Sequence, residues 1–127
     1  MDPLAPDFAN TPVSPKRPHF HYVADGEPAP PAVTVVTPYY NTGEIFLETA
    51  QSVLQQSLQQ WEWLIINDSS DDPVAVQVLD SFRERDPRIR IIDLDRRQGP
   101  PGARNLAIQE ARAGYTLFLD SDDLLEL

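Results

Sequence analysis

The chain has 127 residues, of which 41% are hydrophobic, and 20 acidic against 10 basic residues give it a formal net charge of -10. This length leaves room for one domain at most, and the negative charge argues against a nucleic-acid partner, because binding to phosphates needs cations. The absence of cysteine excludes a disulfide framework, a thiolate metal site and a cysteine nucleophile.

The first part of the chain is rich in proline. Eight of the 13 prolines fall within residues 1–31, where there is little apolar periodicity. Such a composition cannot bury enough apolar surface to offset the entropy of ordering. We therefore predict a disordered Pro-rich leader over residues 1–31 and a folded region over residues 32–127.

From Ala32 onwards, short apolar runs alternate with amphipathic segments, which is typical of β-α units that build a mainly parallel sheet. The apolar runs are continuous rather than alternating, as expected of strands buried on both faces. Four strands are predicted, over residues 33–37, 61–67, 89–94 and 116–120.

Three helices are predicted between these strands. The first carries an apolar face at residues 46, 50, 53 and 54, and Asn41 with Glu44 has the spacing of a capping box. The second spans residues 73–85, with Asp72 as its N-cap and Pro73 at its first position. The third spans residues 102–113 and ends at Gly114 as its C-cap.

The order β-α-β-α-β-α-β predicts a doubly wound sheet with right-handed crossovers. Ligands of such sheets bind outside the carboxyl ends of the strands. Three of the four predicted strand ends carry polar or aromatic groups, namely residues 38–41, 67–72 and 120–123. We therefore expect one site in which these three segments converge.

The acids at the last of these strand ends indicate a cation. Asp120, Asp122 and Asp123 would repel one another unless a cation or solvent screens them. Magnesium and manganese take oxygen ligands and keep waters and substrate phosphates in their shell, so one or two carboxylates suffice. The alternative is a solvated acidic turn that only caps the following residues.

The other two strand ends are suited to a nucleotide. The ring of Tyr40 could stack on a base and Asp68 could accept hydrogen bonds from its edge, although each residue alone is more typical of a turn. Arg104, at the start of the third predicted helix, could reach a diphosphate. Neither a G-x-G-x-x-G nor a G-x-x-x-x-G-K-[ST] motif is present, which argues against nicotinamide dehydrogenases and P-loop ATPases.

Five ordered blocks of the sequence resemble glycosyltransferase family 2. The blocks are residues 33–41, 52–57, 63–71, 102–107 and 119–123. The resemblance implies a GT-A fold, a Rossmann-like doubly wound sheet that is here truncated after its fourth strand. Residues 32–127 are then the N-terminal nucleotide-sugar-binding half of the domain.

The resemblance also implies roles for individual residues. Asp120 and Asp122 match the family's Asp-x-Asp motif and would hold Mg2+ or Mn2+ against the diphosphate. Asn67 stands where the family usually has another aspartate, and the catalytic base is expected downstream of residue 127. The implied nucleotide-binding residues are Pro38, Tyr40, Asn41, Asp68, Arg104 and Asp120.

The function implied is transfer of a sugar, with inversion, from a nucleotide-diphosphate donor such as a UDP-sugar to a hydroxyl of a saccharide or lipid-linked acceptor. The isolated chain is expected to be inactive. A nucleotide-binding module without turnover and an inert fragment are the alternatives. A flavodoxin-like receiver would need acids after the first strand and a lysine late in the chain, but the sole lysine is Lys16.

No stretch approaches the roughly 18 consecutive apolar residues of a membrane span, and the N-terminus has no signal-peptide pattern. The expected location is the cytoplasm, with membrane association open for a longer parent protein. The fourth strand is expected to leave an edge or an apolar face exposed.

Overall fold

A computed structural model describes residues 21–22 and 28–126, with side chains described over residues 30–126. A 3-10 turn, Gly43–Ile45, leads into the first α-helix. The elements in chain order are β1 (His21–Tyr22), β2 (Pro28–Ala29), β3 (Val33–Tyr39), α1 (Phe46–Leu54), β4 (Trp61–Asn67), α2 (Pro73–Asp80), β5 (Ile89–Asp93), α3 (Gly99–Glu110) and β6 (Tyr115–Phe118).

The main sheet has four strands in the order β5-β4-β3-β6, and every pair in it is parallel. The chain builds the sheet outwards from β3 to β5 and then returns to the opposite side of β3 with β6. This confirms the predicted α/β doubly wound sheet. The strand order reverses at β3 and β6, and a ligand crevice is expected at their carboxyl ends.

Helices cover both faces of the two central strands. On one face, α1 and α2 pack on residues that include Val35, Trp63 and Ile65. On the other face, Ala103 and Ala107 of α3 pack on Val36, Leu64 and Ile66. Because successive side chains of a strand point to opposite faces, both sets must be apolar, which explains the continuous apolar runs in the sequence.

Phe46 is at the centre of an aromatic cluster between α1, α2 and the sheet. Its ring centroid lies 5.0 Å from that of Tyr39, 5.5 Å from that of Trp63 and 5.4 Å from that of Phe82. The polar atoms of these rings are satisfied: Trp63 Nε1 donates to Thr37 Oγ1 at 2.8 Å, and the Tyr39 hydroxyl donates to the Ala75 carbonyl at 2.6 Å. Buried aromatic rings stabilise a core through the apolar area that they bury and through their preferred ring–ring geometry.

Several predicted boundaries were wrong by a few residues. The strand β3 continues to Tyr39, while β6 ends at Phe118 rather than at residue 120. The helix α2 begins at Pro73, with Asp72 accepting a hydrogen bond from the Ala75 N–H as predicted, but it ends at Asp80. Turns follow over residues 81–85, and they bring Phe82 into the aromatic cluster.

The predicted ends of α3 and the predicted cap of the first helix were also wrong. The helix α3 begins at Gly99 and ends at Glu110, and its C-cap is Ala111 in an extended conformation, so Gly114 does not cap it. No side chain caps the 3-10 turn or α1. The side chain of Asn41 instead bonds to residues 71 and 72, in a different loop.

The strands β1 and β2 form a separate two-stranded antiparallel sheet within the segment predicted to be disordered. Most of that segment lies outside the described residues, and the prediction for it stays untested. In the main sheet, β6 is an edge strand whose four residues are all exposed, with Tyr115 at 76%. No helix in the described part of the chain is long and apolar enough to cross a membrane.

A buried charge cluster at the amino-terminal end of the strands was not predicted. Glu62 of β4 is fully buried, and its Oε2 accepts hydrogen bonds from Thr34 Oγ1 at 2.6 Å and from the Arg112 N–H at 2.7 Å. Its Oε1 lies 3.5 Å from Arg112 Nη1. Burial lowers the pKa of the Arg112 guanidinium, and the charge of Arg90 lowers it further. The carboxylate therefore holds the chain after α3 against the sheet.

Glu62→Gln should destabilise the fold by about 3 kcal/mol, because it leaves the buried Arg112 cation without its counter-charge. Urea unfolding followed by circular dichroism measures the loss. Glu84→Gln, at an exposed position in a turn, is the matched control and should change stability by less than about 0.5 kcal/mol. Equal stability of the two variants would show that the buried pair contributes nothing.

Candidate functional site

A cavity of about 550 Å³ opens at the carboxyl ends of β3 and β4, beside the segment that follows β6. This is the place where the strand order reverses. Twelve residues line it: Pro38, Tyr39, Tyr40, Thr42, Ile45, Asp68, Arg97, Pro100, Arg104, Asp120, Ser121 and Asp122. Six of the seven predicted site residues are among them, and the exception is Asn41.

Asp68 is the most buried carboxylate of the cavity, with only 3% of its side chain exposed. Its Oδ1 accepts the Gln98 N–H at 2.7 Å, and its Oδ2 accepts the Gly99 N–H at 2.8 Å. These are N–H groups at the start of α3, where the helix itself offers no partner and where negative charge is favoured. Asp68 therefore caps α3 from another loop, which explains why the helix can begin at Gly99.

Arg97 is a cavity residue that the sequence analysis missed. Its guanidinium carbon lies 3.5 Å from the centre of the Tyr40 ring, and its Nε donates to Asp68 Oδ2 at 3.2 Å. Half of its side chain is exposed. The only signal in the sequence is the Arg96-Arg97 pair before Gly99, and nothing local distinguishes one arginine from the other.

Asn41 connects two loops of the site rather than lining the cavity. It has a positive φ of 52°, a conformation that asparagine tolerates better than most residues. Its Oδ1 accepts the N–H groups of Asp71 and Asp72, at 2.9 and 3.0 Å, and its own N–H donates to Ser70 Oγ at 3.0 Å. Asn41 thereby fixes the loop after β3 against the loop after β4.

Tyr39 supports the floor of the cavity. Its hydroxyl donates to the Ala75 carbonyl and accepts the Gly43 N–H at 3.3 Å. Burial raises the pKa of this hydroxyl above its ordinary value, and a hydrogen bond from the Gly43 backbone partly offsets the effect. Tyr39 is therefore protonated at neutral pH and is a structural donor rather than a proton acceptor.

The acidic turn, residues 120–123, follows β6, and its first three residues line the same cavity as Arg97. The Asp120 carboxylate is two-thirds exposed, and Arg104 Nη2 approaches it to 4.0 Å. Asp123 Oδ1 accepts the Leu124 N–H at 2.9 Å. Within the described residues, no side chain or backbone group pairs with the Asp122 carboxylate, which leaves its oxygens available.

The acids of the turn provide few protein ligands for a metal ion. The described residues contain no group of three histidine, aspartate or glutamate side chains placed to enclose an ion. Asp120 and Asp122 offer at most two protein carboxylates at the cavity wall. Such a pair suits Mg2+ or Mn2+, which keep most of their ligands from water and phosphate.

Comparison with known proteins agrees with this architecture. The family model described as glycosyl transferase family 2 matches residues 34–126. The teichuronic acid biosynthesis glycosyltransferase TuaG of Bacillus subtilis (strain 168) is 40% identical over 93 residues, which are 73% of this chain and 36% of TuaG. The chain thus spans little more than a third of that relative.

Two solved structures share the fold. The crystal structure of S. aureus TarS 1-349 in complex with UDP-GlcNAc has a TM-score of 0.66 and 27% identity, over 74% of this chain and 27% of TarS 1-349. The mannosyltransferase PcManGT from Pyrobaculum calidifontis, in complex with GDP-Man and Mn2+, has a TM-score of 0.62 over 74% of this chain and 28% of its own. Its 24% identity shows likeness of fold alone.

Asp68→Asn should lower the free energy of unfolding by about 2 kcal/mol, because the amide nitrogen cannot accept the backbone N–H that a carboxylate oxygen now accepts. The loss of negative charge at the start of α3 acts in the same direction. Chemical denaturation measures this decrease in the free energy of unfolding. Asp71→Asn, whose exposed carboxylate accepts only from Asn41 Nδ2, should cost less than about 1 kcal/mol; an equal loss would contradict the capping role of Asp68.

Proposed function

The chain belongs to glycosyltransferase family 2 and has the GT-A fold, and from this we propose that it carries the donor site of an enzyme that transfers a sugar from a nucleotide-diphosphate donor, with inversion, to an acceptor hydroxyl. The observation that carries the proposal is the convergence on one cavity of an aromatic ring, a buried carboxylate, two arginines and an acid pair. The donor is proposed to be a UDP-sugar, and TarS, of the same fold, binds UDP-GlcNAc.

The base would bind at the end of the cavity formed by Pro38, Tyr40 and Asp68. Stacking on Tyr40 does not distinguish one base from another. A carboxylate selects a base whose edge donates a hydrogen bond, such as the N3–H of uracil. Oδ2 of Asp68 already accepts from the Gly99 N–H and from Arg97 Nε, and Oδ1 accepts from the Gln98 N–H. A carboxylate has about four acceptor sites, so Oδ1 keeps one with which it can accept from the base while Asp68 caps α3.

Arg97 is proposed to take part in this recognition, because its guanidinium covers one face of the Tyr40 ring. A base would stack on the outer face of the guanidinium, on the other face of the ring, or on the covered face after the guanidinium has moved. Each arrangement keeps a cation near the nucleotide. Asn41 is proposed to act indirectly, by holding the two loops that carry Tyr40 and Asp68.

The diphosphate would lie between the arginines and the acidic turn. Asp122, whose oxygens are available, and Asp120 would hold Mg2+ or Mn2+, and Arg104 would contact the diphosphate beside Asp120. When bound, the ion neutralises the negative charge that develops on the departing nucleotide diphosphate. Without a cation, the like charges of the acids and the diphosphate would repel each other.

The proposed reaction is a direct displacement. The acceptor oxygen forms a bond to the anomeric carbon while the bond from that carbon to the diphosphate oxygen breaks, and the nucleotide diphosphate leaves. A general base takes the proton of the acceptor hydroxyl, and we place that base downstream of residue 127. The acceptor is proposed to be a saccharide or a lipid-linked acceptor.

Titration calorimetry of UDP into the chain tests the donor site. Mn2+ should strengthen UDP binding, and a chelator should weaken it at least about tenfold, because the diphosphate then faces uncompensated carboxylates. Asp122→Ala should bind UDP in Mn2+ as weakly as the wild type does in chelator. No binding by a cooperatively folding chain would eliminate the donor-site proposal.

The control for this titration is Asp95→Ala, because Asp95 is an exposed acid outside the cavity lining. It removes the same charge from the chain and should leave UDP affinity within about twofold of the wild type. A loss equal to that of Asp122→Ala would mean that net charge, rather than metal binding, sets the affinity.

A separate series tests stacking. Tyr40→Ala should weaken UDP binding by about 1–3 kcal/mol, the usual contribution of an aromatic side chain under a base, and Tyr40→Phe should retain most of the affinity. Tyr115→Ala removes an exposed tyrosine from β6, outside the cavity, and is the matched control. Equal affinity of Tyr40→Ala and the wild type would place the base elsewhere.

A further inference from the structure

A row of polar side chains on α1 and just after it is not used directly by the donor site. Thr49 and Ser52 lie three residues apart on one face of α1, and Gln56 follows four residues later, beyond the end of the helix at Leu54. Thr49 is completely buried, although an apolar valine would have the same shape. We call these three residues the polar row of α1.

The polar row bonds to the backbone of the chain that follows β6. Thr49 Oγ1 donates to the Ser121 carbonyl at 3.0 Å, and Ser52 Oγ accepts the Leu125 N–H at 3.0 Å. Gln56 Nε2 donates to the Glu126 carbonyl at 3.0 Å and approaches the Leu125 carbonyl at 3.4 Å. The polar row thus holds the acidic turn at Ser121 and the chain just after the turn at Leu125 and Glu126.

Ser121 is the residue at which this contact matters most, because it lies between Asp120 and Asp122. Its carbonyl is held by Thr49, and its hydroxyl forms a hydrogen bond with that of Thr42. The backbone of the turn is closed by the Asp123 N–H, which donates to the Asp120 carbonyl at 3.1 Å. Holding Ser121 on two sides therefore fixes the stretch of backbone from which the two flanking carboxylates project.

The chemistry of these contacts leaves the acids free. The polar row is uncharged, and its bonds to the turn and to the residues after it are to backbone groups, so it consumes no carboxylate oxygen of Asp120 or Asp122. A lysine or arginine in the same place would also hold the turn, but it would compete with a cation for the carboxylates. Preorganisation by neutral hydrogen-bonding groups avoids that competition.

We propose that the polar row of α1, with Thr49 as its principal member, is a positioning device for Asp120 and Asp122, which sets the affinity of the site for the metal without contacting metal or nucleotide. The inference rests on the proposed donor function. A device of this kind lowers the entropy that the acids lose when an ion binds. Its removal weakens metal binding and spares the base-binding end of the cavity.

The test compares Thr49→Val, which keeps the shape but removes the hydroxyl, with Thr49→Ser, which keeps the hydroxyl. Electron paramagnetic resonance measures the Kd of the full chain for Mn2+ in the presence of UDP. Thr49→Val should raise this Kd about five- to tenfold, as expected for one lost hydrogen bond, and Thr49→Ser should stay within about twofold. UDP affinity in chelator should be the same in all three proteins.

Three results would overturn the proposal. They are unchanged Mn2+ affinity in Thr49→Val, an equal loss in Thr49→Ser, and a parallel loss of chelator-insensitive UDP affinity, which would indicate a general effect on the fold. Thermal melts of each variant confirm that the folded protein is being compared.

A ligand-free measurement separates this proposal from the donor function. In Ser52→Ala, hydrogen exchange should accelerate at least about fivefold at the amides of Asp123 and Leu125, and not at Ile65 in the centre of the sheet. Ser57→Ala, at an exposed position of the same segment, is the control. If the wild type binds neither Mn2+ nor UDP, the donor function fails, and unchanged exchange at Asp123 would independently refute the positioning role.

Discussion

The capping of α3 by Asp68 is the contact on which the rest of the site depends. A buried carboxylate at the end of β4 accepts the first N–H groups of a helix that packs on the opposite face of the sheet from α1 and α2. The contact fixes where α3 starts, and the start of α3 places Arg97 on Tyr40 and Arg104 beside Asp120. One side chain therefore couples the end of the cavity where we propose that the base binds to the acidic turn.

Most of the architecture could be predicted because it depends on local patterns. The apolar runs of the four strands are continuous because both faces of the central sheet are covered, and Asp72 with Pro73 marks the start of α2 unambiguously. The same patterns place polar groups after three strands. Because parallel strands end at one edge of the sheet, these patterns sufficed to bring six of the seven predicted residues into one cavity.

The features that could not be predicted depend on partners far away in the sequence. The start of α3 is determined by Asp68, about 30 residues earlier, and no cap is visible next to Gly99. Asn41 has the spacing of a capping box, but a loop some 30 residues away offers it better hydrogen-bond partners. Glu62 and Thr49 interrupt apolar patterns for reasons that become clear only when Arg112 and Ser121 are in place.

The return of β6 to the side of β3 also has a consequence for how the molecule folds. Val33 pairs with Tyr115, so this ladder closes a loop that comprises almost the whole described sheet. Contacts with such large sequence separation form late and slowly, because the entropy of loop closure must be overcome first. The three strands β3, β4 and β5 can associate beforehand through short connections. We therefore expect the acidic turn to join the cavity late in folding, after the segments that follow β3 and β4 have come together.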